Sequence, residues 1–354
     1  MIGYRKRSFV KAHALLELLR NDPGDLATLY NLQMLLLMEI ANAEVKIREL
    51  KSELEIVEKL PNETTKGRLV YLRRRIDGFR KCAYIWRCFG DSIAFLYMDK
   101  FALKHTFFST ESTNAKQQAG FIIDKQGLSS ELAALELALE QNVPALLVDL
   151  TNTIRHGDLC LMGEPDPHLI EVKSSRKVDR RGKRQLRNLG KIQTFYEKDA
   201  VKEFRGFREV RRETYDIPEH TYTKELNDCI IAAVENGCAI CQPEHGLYYA
   251  VATKNARNPN LDPIFKSIGS TAPWVFLLNQ AKTDRSWAPY LPFILSIMNR
   301  DHLWDFIQGN IVILVVIDVE VFCQIALERG YDASFHEEDA DYPLHIKVAI
   351  EQVY

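Results

Sequence analysis

Leu36, Ile40, Ala43, Ile47, Leu50, Leu54 and Val57 succeed one another at alternating steps of four and three residues. That spacing keeps apolar side chains on one stripe of an α-helix and repeats with every heptad. A second series with the same alternation runs through Leu69, Leu72, Ile76, Phe79, Ala83, Trp86, Gly90, Ile93 and Tyr97. Between the two lies Leu60-Pro61-Asn62-Glu63-Thr64-Thr65, where Pro61 stops one helix and Thr64 or Thr65 is placed to cap the next. Two seams joined by so short a break predict an antiparallel, coiled-coil helical hairpin. Its expected role is that of a scaffold or an arm for a partner protein or a second copy. The Arg73-Arg74-Arg75 run reads as its solvated face.

The chain has 354 residues, room for two or three domains with cores of their own. Its formal net charge is −2, so any attraction to nucleic acid must be local. The seven cysteines are odd in number and scattered through apolar surroundings, which fits a reducing cytoplasm better than a disulfide framework. The N-terminal stretch is basic and then apolar, but His13, Glu17 and Arg20 interrupt it, and it does not read as a signal peptide. The longest apolar run, residues 311–317, is too short to span a bilayer. The expectation is a cytoplasmic protein without membrane contact.

Residues 156–175, HGDLCLMGEPDPHLIEVKSS, read as two short strands joined by a turn that Gly163, Pro165, Asp166 and Pro167 supply. Leu159 and Leu161 alternate with other positions, and so do Ile170 and Val172. A hairpin centred between Glu164 and Pro165 pairs Met162 with Pro167 and Cys160 with Leu169, and sets Asp158 opposite Glu171. Directly opposed residues have Cβ atoms roughly 5 Å apart. Glu171 and Lys173, two apart on a strand, share a face. Two carboxylates and an ammonium therefore converge. Like charges at that distance repel unless a cation lies between them, and a hard divalent ion meets that need.

A helix is expected from residue 127 or so to about 141, with Ser129 or Ser130 as its cap and Asn142 and Pro144 ending it. A strand follows over residues 145–150. After the hairpin, residues 174–191 hold eight basic side chains against one acid: Arg176, Lys177, Arg180, Arg181, Lys183, Arg184, Arg187 and Lys191 against Asp179. A helix over about residues 184–196 carries Leu186, Leu189, Ile192 and Phe195 on one face. So much positive charge beside a carboxylate cluster favours contact with phosphate over a merely solvated helix. The rest reads as mixed α and β, with helices near 223–235 and 320–329. Strands are expected near 239, 248–252, 311–317 and 345–348.

Glu-x-Lys alone is a weak signal. Here Glu171-Val172-Lys173 closes an apolar strand, Gly157-Asp158 lies in register across the hairpin, and a helix bearing Glu131 precedes both. A basic helix with Gln185 and Gln193 follows. This order resembles the PD-(D/E)xK, or restriction-endonuclease-like, nuclease superfamily over about residues 127–200. The Asp follows Gly here rather than Pro. The resemblance implies an α/β fold, α+β overall, with a mixed sheet flanked by helices. It says little about either flank, where the seams give a helical hairpin before the sheet and the mixed pattern an α/β accessory region after it, one that could complete the nuclease domain. The expected domains are 1–105, 120–212 and 213–354. The resemblance further implies that Asp158 and Glu171 ligate Mg²⁺ or Mn²⁺ with the Val172 carbonyl, that Lys173 orients or deprotonates water, and that Glu131 adds a water-mediated ligand. Glu136 and Glu140 compete with Glu131 for that role. Arg176, Lys177, Arg180, Arg181, Lys183, Arg184, Arg187 and Gln193 would meet the nucleic acid. The expected activity is metal-dependent hydrolysis of phosphodiesters, of DNA by resemblance, in bacterial antiviral defence or repair. The alternatives are a nucleic-acid-binding protein of the same fold without the chemistry, and an interaction protein built on its helical hairpin.

Three further features carry less. Cys238 and Cys241, with Cys229, His220 and His245 nearby in sequence, invite a zinc reading, but no second close pair accompanies them, and Ala239 and Ile240 fit a buried strand. His156 precedes Asp158 by two residues and reads as a strand-edge histidine. Trp274, Trp287 and Trp304 read as core residues rather than base-stacking platforms.

Overall fold

The computed structural model describes residues 5–59, 64–118, 120–172, 180–213, 220–254, 256, 262–268, 273–336 and 344–348. These form two compact units. One comprises residues 1–218 together with 285–295, and the other residues 219–284 together with 296–354. The expected segments 1–105 and 120–212 thus lie within the same unit.

The first unit begins with α1 (Lys6–Asn21), α2 (Leu26–Glu58) and α3 (Thr64–Tyr97). Asp25 caps α2, its side chain accepting from the Thr28 amide at 2.9 Å. The helices α2 and α3 are the long antiparallel pair that the two seams predict. Leu36, Ile40, Ala43 and Ile47 are buried, as are Leu72, Ile76, Phe79, Ala83, Trp86 and Ile93. Leu50, Leu54, Val57 and Leu69, toward the tip, are only half-buried. The base of the pair is the core of the unit, with α1 laid against it through Phe9, Leu16 and Leu19.

After α4 (Lys100–Phe107) comes a short 3₁₀ turn, Ile122–Asp124, and then α5 (Leu128–Glu140). The cap position of α5 is Gly127, so the helix starts two or three residues earlier than a Ser129 or Ser130 cap would place it. A three-stranded sheet follows: β1 (Ala145–Leu147), β2 (Leu159–Leu161) and β3 (His168–Ile170), ordered as in the chain. The strand expected over 145–150 stops at Leu147 and turns into a 3₁₀ helix, Val148–Leu150. The β2–β3 register is the expected one, with Cys160 opposite Leu169. The free edge of β1 is completed by a side chain of α2. Gln33, fully buried, donates to the Ala145 carbonyl at 2.9 Å and accepts from the Leu147 amide at 3.0 Å.

The basic helix, α6 (Arg180–Lys198), leads into the hairpin β4 (Ala200–Phe204) and β5 (Phe207–Arg211). Ile192, Phe195, Tyr196, Val201 and Phe204 share one apolar cluster with Ala102. Leu186, expected on the same face, is 44% exposed, because that face turns past the sheet one turn before Leu189.

The second unit holds α7 (Thr223–Asn236), β6 (Cys238–Glu244), β7 (Leu247–Thr253), α8 (Asp262–Ser267), β8 (Trp274–Leu277) and α9 (Leu278–Asp284). The chain then returns to the first unit for residues 285–295, where the one-turn helix α10 (Phe293–Ser296) begins. It comes back to the second unit for α11 (Arg300–Gln308), β9 (Ile311–Ile317), α12 (Val319–Glu328), β10 (Tyr331–Phe335) and β11 (Leu344–Val348). Four strands form a sheet in the order β6-β7-β9-β8, around Tyr248, Ala250, Ile268 and Val316. Every pairing among the described strands is antiparallel, so the sheets are several and small where one mixed sheet was expected. Among the described residues no helix is long and apolar enough to cross a membrane.

Candidate active site

The ladder between β2 and β3 ends at Leu159 and Ile170, one step short of Asp158 and Glu171. The Asp158 amide donates to the Ile170 carbonyl at 2.8 Å, and the Val172 amide donates to Asp158 Oδ2 at 2.9 Å. The expected register holds as far as Leu159 and Ile170; beyond it the Asp158 backbone still answers Ile170, and its side chain, not a backbone partner, takes the Val172 amide. Gly157 makes this possible. Its φ is +77°, and a Cβ there would lie 2.8 Å from the Ile170 carbonyl oxygen, so no other residue fits without a shift. That is the physical reason for Gly ahead of Asp158.

Asp158 does not face an empty gap. Lys125, just beyond the 3₁₀ turn, places Nζ 2.9 Å from Asp158 Oδ1, 2.8 Å from Asp149 Oδ2 and 2.9 Å from Glu131 Oε1. An ammonium has three N–H donors, and each here meets a carboxylate from a different element. Glu131 comes from α5, Asp149 from the 3₁₀ turn after β1, and Asp158 from the start of β2. Burial works against the Lys125 charge, but the Asp149 carboxylate and the bonds to Asp149, Asp158 and Glu131 outweigh it, holding its pKa above the usual lysine range. Burial pushes the Glu131 carboxyl up despite the Lys125 ammonium beside it. Three carboxylates against one ammonium leave the cluster with an excess of two negative charges.

The walls are braced from α2 and α3. Glu44, 1% exposed, accepts from the Ile122 amide at 2.7 Å and from Arg87 at 2.8 Å. Arg87 also donates to the Asp149 carbonyl at 3.0 Å. Asp91 accepts from the Asn152 and Thr153 amides, both at 2.8 Å. The helical hairpin is therefore a structural support of this site. Gly90 lets α3 approach, since a Cβ there would lie 1.9 Å from the Leu150 carbonyl oxygen.

Asp149 and Asp158 open on a cleft of about 670 Å³ whose walls include Glu171, Lys116, Arg184, Gln185 and Asn188, with Glu131 buried behind them. Burial lowers the pKa of Lys116, while Glu171 and Asp158 pull it the other way. Arg184 thus reaches the cleft, while Lys183 and Arg187 are exposed on α6. Gln193 lines a different cleft and donates to Glu197 at 2.9 Å. Lys173, Arg176 and Lys177 lie outside the described residues, as do the side chains of Arg180 and Arg181. Glu136 is exposed and accepts from Tyr30 at 2.9 Å, and Glu140 is also exposed, so Glu131 is the helical acid that meets Asp158.

Lys125 and Asp149 are absent from the residues that the sequence singles out. Both sit in short irregular segments where no periodicity marks a face. The one available signal is that Asp149 follows an apolar strand directly, as Asp158 precedes one. Among the described residues no three or more His, Cys, Asp or Glu side chains are disposed to hold a metal ion, the acids here being gathered on an ammonium. The donor set itself, Glu131, Asp149, Asp158 and Glu171, is all carboxylate oxygen and suits Mg²⁺ or Mn²⁺. In the second unit Cys229, Cys238 and Cys241 are free thiols. His156 is buried, its Nε2 2.9 Å from the Phe108 carbonyl and its Nδ1 3.3 Å from Lys116 Nζ. No family model, curated protein sequence or solved structure matches the chain.

Proposed function

We propose that the chain is a metal-dependent nuclease of restriction-endonuclease-like character, acting on DNA. The observation that carries this reading is the gathering of Glu131, Asp149 and Asp158 around one cation position, beside a cleft that Asp149 and Asp158 line together with Glu171 and with Arg184 of a basic helix. The element order of α5, β1, β2, β3 and α6, with Asp158 and Glu171 each one residue beyond the paired ends of β2 and β3 and both lining the cleft, supports the reading. In that reading Asp158 and Glu171 hold Mg²⁺ or Mn²⁺ with the Val172 carbonyl, and Glu131 contributes through water. The bound ion supplies Lewis-acid polarisation of the phosphoryl oxygen and a more acidic water. A metal ion among these carboxylates would have to take the place that the Lys125 ammonium holds. Lys173 orients the attacking water, and Arg184 meets the backbone phosphate.

Purified protein with Mg²⁺ or Mn²⁺ is expected to nick or cut DNA, and Asp158→Asn and Lys173→Ala to abolish cleavage while leaving the circular dichroism spectrum intact. Cleavage by both variants at the wild-type rate would sink the reading.

One observation favours a second reading. Lys125 already answers three carboxylates, and an internal ammonium of this kind can replace a metal altogether. A DNA-binding protein without chemistry would bind with steep salt dependence and show no metal-stimulated cleavage.

A further inference from the structure

A second cleft, of about 1050 Å³, shares only Leu189 with the one that holds Asp158. It lies among α4, the β2–β3 turn, the second half of α6 and the β4–β5 hairpin. Its cations are unevenly answered. Arg212 pairs with Asp166 through two hydrogen bonds, and Arg211 pairs with Glu209 at 2.9 Å. Arg205 and Lys104 make no ion pair with any described residue.

Arg205 is half-buried, and it compensates with weaker partners. One terminal nitrogen donates to the His105 carbonyl at 3.0 Å, and the guanidinium lies 4.8 Å from the Phe204 ring centre and 5.3 Å from that of Phe108. Its Nε is buried without a hydrogen-bond partner, and so is Nδ1 of His105 beside it. Lys104 rests over the rings of Phe101 and Tyr290, at 5.0 and 5.8 Å. A guanidinium withdrawn from water and given no anion is costly, and such a group at a cleft wall points to an anion from outside. Carboxylates also border the cleft. Asp166 is taken by Arg212, Asp99 caps α4, and Glu197 accepts from Gln193. Glu164 and Glu213 are exposed.

We propose that this cleft binds a small anion carrying a planar ring, with the chemistry and size of a nucleoside monophosphate. Arg205 and Lys104 supply the charge that meets the phosphate, and Phe101, Phe108 and Leu169 form the apolar wall against which the ring lies. The volume is ample for such a ligand. Burial, and then the neighbouring Arg205, depress the His105 pKa to about 4, so its ring is neutral at physiological pH and adds no competing charge.

Calorimetric titration of the 354-residue chain with adenosine monophosphate tests this, with inorganic phosphate and adenosine as partial probes. Saturable binding of the nucleotide, tighter than of either probe, is expected. Arg205→Gln should weaken it by about tenfold or more, and Lys104→Met by a smaller factor. Lys104→Met carries the test if Arg205→Gln does not fold. Lys46→Gln, at a position exposed on α2 and lining neither cleft, should leave the affinity unchanged. The proposal is overturned by absence of saturable nucleotide binding, by inorganic phosphate binding as tightly as the nucleotide, or by loss of affinity in Lys46→Gln but not in Arg205→Gln and Lys104→Met.

Discussion

Single atoms decide much of how the first unit closes. A methyl group on residue 90 would collide with the Leu150 carbonyl, and both partners are backbone, so neither yields cheaply. Gly90→Ala should cost about 3 kcal/mol, read as a lower urea midpoint with an unchanged slope. A midpoint like that of the wild type would mean that α3 does not approach the 3₁₀ turn so closely. His156 makes a prediction of a different kind. Burial, and next the Lys116 ammonium, depress its pKa from 6.5 to about 4. The unfolded chain therefore binds a proton between those values that the folded chain refuses. This contribution is fully present above pH 6.5 and is lost as pH falls toward 4. Asp91 works the other way, since burial raises its pKa from 3.8 to about 6 and the folded chain gains from protonating it. Comparing wild type with His156→Gln cancels the Asp91 part. The stability gap between the two should narrow by about 3 kcal/mol from pH 7 to pH 4, and a gap independent of pH would refute the buried neutral imidazole. At this scale the sequence is partly legible. Asp158 and Glu171 stand out because a hairpin's period of two assigns their face from the turn alone. Lys125 and Asp149 do not, because only tertiary folding brings a 3₁₀ turn and a loop lysine to the same point.

Whole elements follow the period of their apolar residues where that period is long. Both long helices lie where their seams place them, but a heptad seam does not say what covers it. Along α2 the burial fades from Leu36, fully buried, to Leu54, half-buried near the tip. Leu36→Ala should cost about 2–5 kcal/mol, and Leu54→Ala about 1 kcal/mol or less, compared by chemical denaturation. Equal costs would show that the tip is packed as tightly as the base. The short strands were harder to read. β4 and β5 alternate too weakly, Ala200-Val201-Lys202-Glu203-Phe204 against Phe207-Arg208-Glu209-Val210-Arg211, to stand apart from a basic, loop-like surround. β1 ends early because the chain closes into a 3₁₀ turn, the Thr151 amide donating to the Val148 carbonyl at 3.0 Å, and that turn presents Asp149 to Lys125. Nor does a seam announce a polar brace. Gln33, Glu44 and Asp91 are buried on helices that read, from their apolar residues, as a free-standing arm.

For the molecule as a whole, composition gave only the size of the cores, and the path between them came from the structure. Residues 285–295 belong to the first unit although 219–284 and 296–354 build the second. Phe293, Ile294 and Leu295 are buried, and the Trp287 amide donates to the Tyr84 hydroxyl at 3.1 Å. A fragment ending at residue 218 therefore lacks part of its own core. It should unfold at lower denaturant than the intact chain's first unit and regain stability when a peptide of residues 285–295 is added, with hydrogen exchange slowing around Tyr84. A fragment indifferent to the peptide would mean that the returning segment is dispensable. The same path imposes an order on synthesis. Domains made in succession usually complete themselves from the N-terminus as they emerge from the ribosome. Here the first unit must wait, its Tyr84 surface uncovered, while most of the sheet-forming half of the second is translated ahead of the segment that covers it.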